Sequence, residues 1–436
     1  MSIIQSKKQL VNSCLEENRE AVFALGEELF HTPELGFQEE KTESIICRYL
    51  DSLGIPYKNK VALHGVICTM GEGEGFHIGV AADMDALLTN VNDAMVPFHS
   101  CGHSIQVAVL LNLITAFHNS KVLEQMDGKV SFFFTPAEEF IDIETRKKLR
   151  QEGKIRFFSG KQNMIYEGVF DDVDMILSSH VMSPDEKNPA VRFDLNSTLS
   201  GFILREVIFK GQAAHAGVVP HLGKNALQAA TLSLTAIQML KDTFPPQAGA
   251  RVYPILREGG KTANVICDHA VVETYIRTNT MEDLFHISAQ ISNAFVHCAK
   301  ALGVSCEIED TNGYLPLTQS REVNRVVYNN MLTLCDENEI VQDVVSGASG
   351  DIGDLSLLMP VIQFGFSGIK GIVHSNQFEI TSPEHVYINT AKVLAGTIID
   401  ILSDKTLQTK KENYQEKKAY YLKNWLKVGE YNDDTR

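Results

Sequence analysis

Two neighbouring acids, Glu138 and Glu139, follow an apolar stretch at 130–134. Adjacent carboxylates repel unless a cation divides their duties, one binding metal while the other carries protons. Their place after a strand is where open α/β sheets build sites. Upstream, His99-Ser100-Cys101-Gly102-His103 precedes an apolar stretch at 105–117 that reads as a buried helix. A helix N-terminus favours a thiolate at Cys101. Gly102 lets the backbone bend so that Cys101 and His103 face one point. Thiolate and imidazole suit borderline metals such as zinc, cobalt or manganese. His180 ends a strand over 175–180, His374 follows Gly371-Ile372-Val373, and Asp83 and Asp85 close a strand over 77–82.

Each signal alone is ambiguous. A lone Cys-x-His pair more often packs in a core than holds a metal, and paired acids can be an exposed turn. Their joint arrangement is not ambiguous. Five separate strand or helix ends present metal ligands, and a metal centre is a single cause for all of them.

The elements around these residues predict an α/β architecture. Helical composition runs over 9–30 and 41–53, the second ended by Gly54. Strands are expected at 65–69, 77–82, 129–134 and 174–180, so helices and strands alternate as in a mostly parallel sheet covered on both faces. The pattern changes between Ser200 and Thr311. A strand at 201–210, a helix at 225–240, strands at 251–256 and 270–278, a helix at 281–301 and a strand at 304–308 give the order β-α-β-β-α-β of a ferredoxin-like unit. Leu284, Ile287, Ile291, Ala294 and Cys298 mark the apolar face of its second helix. The α/β signals resume after Tyr314, with a helix at 322–337, a strand at 360–366 and a long helix at 382–402. The expected fold is therefore a catalytic α/β domain, 1–199 and 312–436, with an inserted α+β ferredoxin-like domain at 200–311. The tail after Lys405 reads as a solvated helix docked through Tyr421, Trp425 and Leu426.

Composition narrows the function. At 436 residues, two domains are the prior. The formal net charge of −16 argues against binding a phosphate backbone. The first residues lack the apolar stretch of a signal peptide, and runs such as Val107-Ala-Val-Leu-Leu are too short to span a bilayer. A cytoplasmic protein is expected, with no membrane partner. The eight cysteines form no CxxC pair, and all but Cys101 read as reduced small hydrophobes.

Taken in order, His31-Thr-Pro-Glu-Leu-Gly-Phe, Ala82-Asp-Met-Asp-Ala-Leu, His99-Ser-Cys-Gly-His, Pro136-Ala-Glu-Glu, Ser179-His180, Gly211-Gln-Ala-Ala-His-Ala-Gly, Gly260-Lys-Thr-Ala-Asn-Val-Ile and Val373-His374-Ser resemble the M20 metallopeptidase family. The likeness is to its aminoacylase-like amidohydrolase branch and covers nearly the whole chain. Residues 148–174 and Gly350-Asp-Ile-Gly-Asp-Leu-Ser are similar to an aminobenzoyl-glutamate-hydrolase-like subgroup. The chain departs from the family at Ser104-Ile105-Gln106 in place of Asp-Gly-His, at Ala81 in place of Arg and at Leu88 in place of Pro.

The resemblance implies that Cys101, His103, Glu139, His180 and His374 hold two divalent ions, zinc, manganese or cobalt, with Cys101 bridging them. It implies Glu138 as general base and then acid, with Asp85 and Asp83 orienting ligands. From the inserted lid, His215 would meet the developing oxyanion, while Asn264 and Arg277 would hold a substrate carboxylate. A homodimer through the lid is also implied. The expected reaction is hydrolysis of an N-acyl amino acid or similar carboxylate-bearing amide. A dipeptidase of the same family and a non-catalytic metal-stabilised binding protein are the alternatives.

Overall fold

The computed structural model describes residues 2–184 and 188–428. The chain divides into two compact units. One comprises Met1–Ser197, Thr318–Val345 and Asp354–Arg436; the other comprises Thr198–Leu317 and Ser346–Gly353. The short piece Ser346–Gly353 was expected in the catalytic domain and instead packs with the inserted one. There, Arg277 Nη1 donates to Gly347 O at 3.2 Å and Ser349 Oγ at 3.3 Å.

The first unit is built on an eight-stranded mixed sheet. Three adjacent strands at its centre are parallel: Gly128–Thr135, Phe76–Asp83 and Met175–Val181, with Val361–Phe366 parallel beyond them. Antiparallel pairs flank this centre, so the sheet is less parallel than its alternating pattern suggests. Strands buried on both faces read as continuous apolar runs, and every residue of Phe76–Asp83 is buried. The helix His103–Ser120 packs on this sheet and is apolar nearly all round. Burying each of its leucines and isoleucines contributes about 1.5–3 kcal/mol.

The expected helix over 9–30 is two helices, Ile3–Glu17 and Arg19–Phe30, broken at Asn18. The Asn18 side chain donates to Asn112 Oδ1 at 2.9 Å, a tertiary bond that propensity does not reveal. Glu40–Leu53 stops at left-handed Gly54 (φ 67°), as expected. The helical run Glu384–Ser403 is long and apolar enough to cross a membrane, yet 78% of that window is buried, as in a core helix. Tyr421, Trp425 and Leu426 are buried in this unit. The tail beyond 428 lies outside the described residues.

The second unit carries an antiparallel sheet ordered Arg251–Val252, His269–Thr278, Gly201–Lys210, Ser305–Asn312. Ile255–Glu258 also pairs with His269–Thr278, the strand expected at 251–256 being split at Tyr253-Pro254. The helices Ala226–Lys241 and Met281–Ala301 complete the β-α-β-β-α-β unit. In the second helix the buried stripe is Leu284, Ile287, Ile291, Phe295 and Ala299. The expected Ala294 and Cys298 lie one step off it, because a 3.6-residue period carries the stripe to the next position.

Candidate metal centre

Parallel pairing sets the carboxyl ends of Phe76–Asp83 and Gly128–Thr135 side by side, with Asp83 opposite Thr135. Asp85 lies just past the first strand, Glu138 and Glu139 just past the second, and His180 at the end of Met175–Val181. Cys101 precedes the helix that His103 opens. Gly102 caps that helix at φ 79°, where a side chain would be strained and its Cβ would meet Val181 Cγ1 at 2.5 Å. His374, at φ 71°, donates its N–H to Ser100 O at 2.8 Å, which ties its loop to the Cys101 segment.

The five expected ligands and Glu138 come together. Ligand atoms of Cys101, His103 and His180 lie within 4.8 Å of one another, as do those of Cys101, Glu139 and His374, and of His103, Glu138 and Glu139. Cys101 Sγ is 3.5 Å from His180 Nε2 and 3.3 Å from His374 Nε2. Glu139 Oε1 is 3.5 Å from His374 Nε2, and Glu138 Oε2 is 4.0 Å from His103 Nε2.

The buried polar atoms test whether a cation fits. His103 Nε2 and Glu139 Oε1 are buried and make no hydrogen bond. Orphaned donors and acceptors are costly in a native core. Here they are one nitrogen and one carboxylate oxygen aimed into a cluster that also holds a thiol and two further imidazoles. That donor set suits a borderline divalent metal.

The electrostatics agree. Burial, then the Glu139 charge, pushes the Cys101 thiol well up. Burial would lower His103, but the Cys101 and Asp85 contacts outweigh it and raise its pKa well above the ordinary value. Burial, then the His103 charge, lowers His180 to about 4. Burial would raise Glu139, but the facing His374 imidazole and the His103 charge bring it to about 2. A proton held between Cys101 and His103 must leave for both to ligate, so metal binding and proton release are linked.

Around the cluster, His103 Nδ1 faces Asp85, whose Oδ2 accepts the Glu139 N–H at 2.9 Å. Asp83 is buried and accepts from Thr135 Oγ1 and from the buried Lys161 ammonium. Gln106, one of the departures from the family pattern, accepts the Asp83 N–H at 2.8 Å.

In the second unit His215 is exposed, and its Nδ1 accepts the Gly217 N–H at 3.2 Å. The neutral ring therefore carries its proton on Nε2. An isolated bridge pairs His215 with Val265, and the Ala216 N–H donates to Asn264 O at 2.9 Å, so His215 and Asn264 share one site. Arg277 does not join them. Lys210 pairs with His269 at one end of the sheet and Phe202 with Arg277 at the other. Eight residues separate His269 from Arg277 along that strand, about 27 Å at strand rise, and His215 and Asn264 pair beyond its His269 end.

Two residues that touch the acidic turn escaped sequence reasoning. Glu39 is fully buried, and its Oε1 accepts the Ala137 N–H at 2.8 Å. Burial, then Asp85, raises its carboxyl to about 8. Its nearness to His31-Thr-Pro-Glu-Leu-Gly-Phe was the available signal. Arg146, 1% exposed, donates to Glu139 O and Phe158 O. It sits in the highly charged helix Ile143–Gln151, where nothing local marks it.

A model of the peptidase family M20/M25/M40 matches residues 79–400. The Xaa-Arg dipeptidase of Mus musculus is 25% identical over 406 residues, covering 89% of this chain and 87% of the relative. One of the subunits of the p-aminobenzoyl-glutamate hydrolase of Escherichia coli is 28% identical over 303 residues, covering 66% of this chain and 57% of the relative. In fold, the chain is similar to a dinuclear metal-binding peptidase of Bacillus subtilis from the M20 family, with a TM-score of 0.68, 19% identity and coverage of 89% and 99%.

Proposed function

Because the chain belongs to peptidase family M20/M25/M40, we propose that its clustered Cys101, His103, Glu139, His180 and His374 hold two divalent ions beside the proton carrier Glu138. The protein is a metal-dependent amidohydrolase. One observation carries the ligand assignment: side chains from four separate segments converge on one cluster, and two of their buried polar atoms lack any hydrogen bond.

Bound divalent cations lower the pKa of a coordinated water and polarise an amide carbonyl. The chain's own groups supply the remaining chemistry. Glu138 takes the attacking water's proton and returns it to the leaving nitrogen. Asp85 fixes His103 so that its Nε2 faces the cluster. His215 Nε2–H donates to the developing oxyanion, with Asn264 beside it. Arg277 forks onto a substrate carboxylate. Since His215 and Arg277 stand at opposite ends of one sheet, a small substrate reaches both only if two chains contribute, and we take the enzyme to be a homodimer through the inserted unit. We place it in the cytoplasm, using zinc, manganese or cobalt.

The substrate class we favour is an N-acyl amino acid, supported by the likeness to an acyl-glutamate hydrolase. The likeness to a dipeptidase keeps the exopeptidase reading open as the second. Metal-reconstituted enzyme is assayed on N-acyl amino acids, dipeptides and aminobenzoyl-glutamate. Turnover of the acylated compounds above the dipeptides supports the first reading, and the reverse order supports the second. No hydrolysis of any amide with each metal added leaves a binding protein.

A further inference from the structure

We propose that Glu39 and Arg146 are positioning residues that brace the turn Pro136-Ala137-Glu138-Glu139 from two sides and so aim its two carboxylates. The inference rests on the reading of Glu138 as proton carrier and Glu139 as ligand.

Successive residues of an extended strand point to opposite faces. Glu138 and Glu139 nevertheless both reach the cluster, one toward His103 and the other toward His374. The backbone enters this pair through Ala137 at φ 54°, a left-handed conformation that a non-glycine residue keeps only when its surroundings enforce it. The enforcing contacts are buried and charged. Ala137 N–H donates to Glu39 Oε1, Glu139 N–H donates to Asp85 Oδ2, and Glu139 O accepts from Arg146 Nη2. Two glycines press close from either side. A Cβ on Gly36 would lie 2.8 Å from Ala137 Cα, and one on Gly160 would lie 1.9 Å from Pro136 O.

Arg146 is the less expected member. Its guanidinium is buried, and its contacts are the carbonyls of Glu139 and Phe158 and the rings of Phe37 at 5.4 Å and Phe140 at 6.0 Å. Among the described residues no carboxylate lies within ion-pair distance of it. A buried cation without a counter-charge costs more than an apolar side chain of similar volume. If this place needed only filling, beside the satellite core of Phe37, Ala137, Ile155 and Phe158, methionine or leucine would fill it at lower cost. What arginine adds is a fork that holds two carbonyls at fixed angles. One of those carbonyls belongs to the residue whose side chain meets His374.

Glu39 allows a conservative rescue. Its Oε2 makes no hydrogen bond, so Glu39→Gln keeps the acceptor for Ala137, whereas Glu39→Ala removes it. The variants Glu39→Ala, Glu39→Gln, Arg146→Met and Arg146→Lys are loaded with cobalt(II). They are then compared in kcat, KM, cobalt stoichiometry and visible absorption spectrum. The expected result for Glu39→Ala and Arg146→Met is a kcat loss of about tenfold or more, as a misaimed group gives. KM stays within about twofold, and the cobalt spectrum changes at full stoichiometry. Glu39→Gln restores both readouts. Wild-type kcat and spectrum in Glu39→Ala and Arg146→Met, with only a lowered melting temperature, would overturn the inference and leave a structural brace. If the wild-type protein hydrolyses no amide, the functional reading fails while the cobalt spectra still decide the brace. If Arg146→Met does not fold, the Glu39 pair and Arg146→Lys carry the same comparison.

Discussion

His103 Nδ1 lies 2.9 Å from the Asp85 carbonyl and 3.2 Å from its Oδ1, with both side chains fully buried. One aspartate thus fixes the ring by two acceptors and, through Oδ2, holds the backbone of Glu139. The proton on Nδ1 leaves Nε2 as the lone pair that faces the cluster. Asp85→Asn puts an amide where one acceptor was and frees the ring to turn. The expected effect is a loss of about 10–100-fold in metal affinity or activity, read by chelator competition and by kcat. Wild-type values in both would remove Asp85 from its orienting role.

Glu138 lies 4.0 Å from His103 Nε2. A group that only moves protons is dispensable for binding metal, so Glu138→Gln should separate the two functions. Metal content measured by mass spectrometry should match wild type, while kcat falls about 10²–10⁴-fold. A variant that turns over normally, or one that loses its metal, contradicts the assignment.

Cys101 Sγ is within 3.5 Å of both His180 Nε2 and His374 Nε2. A thiol placed between two imidazoles can face two ions at once. Cys101→Ala should therefore lower the bound metal per chain by more than a substitution at any single histidine. Full occupancy in Cys101→Ala would strike it from the ligands.

These groups were legible in the sequence because each ends a regular element. Apolar strands at 130–134 and 175–179 announce where the chain leaves the sheet, and the residues just beyond them carry the chemistry. The Gly201–Lys210 strand and the Met281–Ala301 helix were legible from their periods alone. Arg146 was not, because its burial depends on a satellite core assembled from Phe37, Ala137 and the neighbouring Ile155 and Phe158, three segments with no shared local pattern. That Asn264 and Arg277 belong toward opposite ends of the inserted sheet was not legible for a different reason. A run of residues shows which face a side chain takes, but only strand pairing shows which end of the sheet it occupies. The break at Asn18 likewise depends on a distant partner, Asn112.

His215 accepts from Gly217 through Nδ1, which leaves Nε2–H as a donor of fixed direction. A donor used only when charge develops on the carbonyl oxygen contributes to the rate and little to ground-state binding. His215→Ala should lower kcat by about 10²–10³-fold with a smaller change in KM. Equal effects on both, or none, would return His215 to the role of an exposed loop residue.

Away from the metal cluster, His385 is a buried group whose titration should be visible in stability. Its Nε2–H donates to Arg192 O at 3.0 Å, its Nδ1 accepts from Arg192 Nη2 at 3.1 Å, and its ring packs on Phe193 at 4.9 Å. Both nitrogens are committed to the neutral tautomer, and protonation would place a second N–H against a guanidinium. Burial accordingly lowers the His385 pKa to about 4. The unfolded chain, with an ordinary imidazole near 6.5, binds the proton first as pH falls. The folded state thus loses stability across that interval and holds the full contribution above it. Between pH 7 and pH 5 the loss is about 2 kcal/mol. Urea unfolding of wild type and His385→Asn at both values isolates this share, since the variant has nothing to titrate there. A variant whose stability falls with acid as steeply as wild type would show that His385 is already charged, or already exposed, in the folded protein.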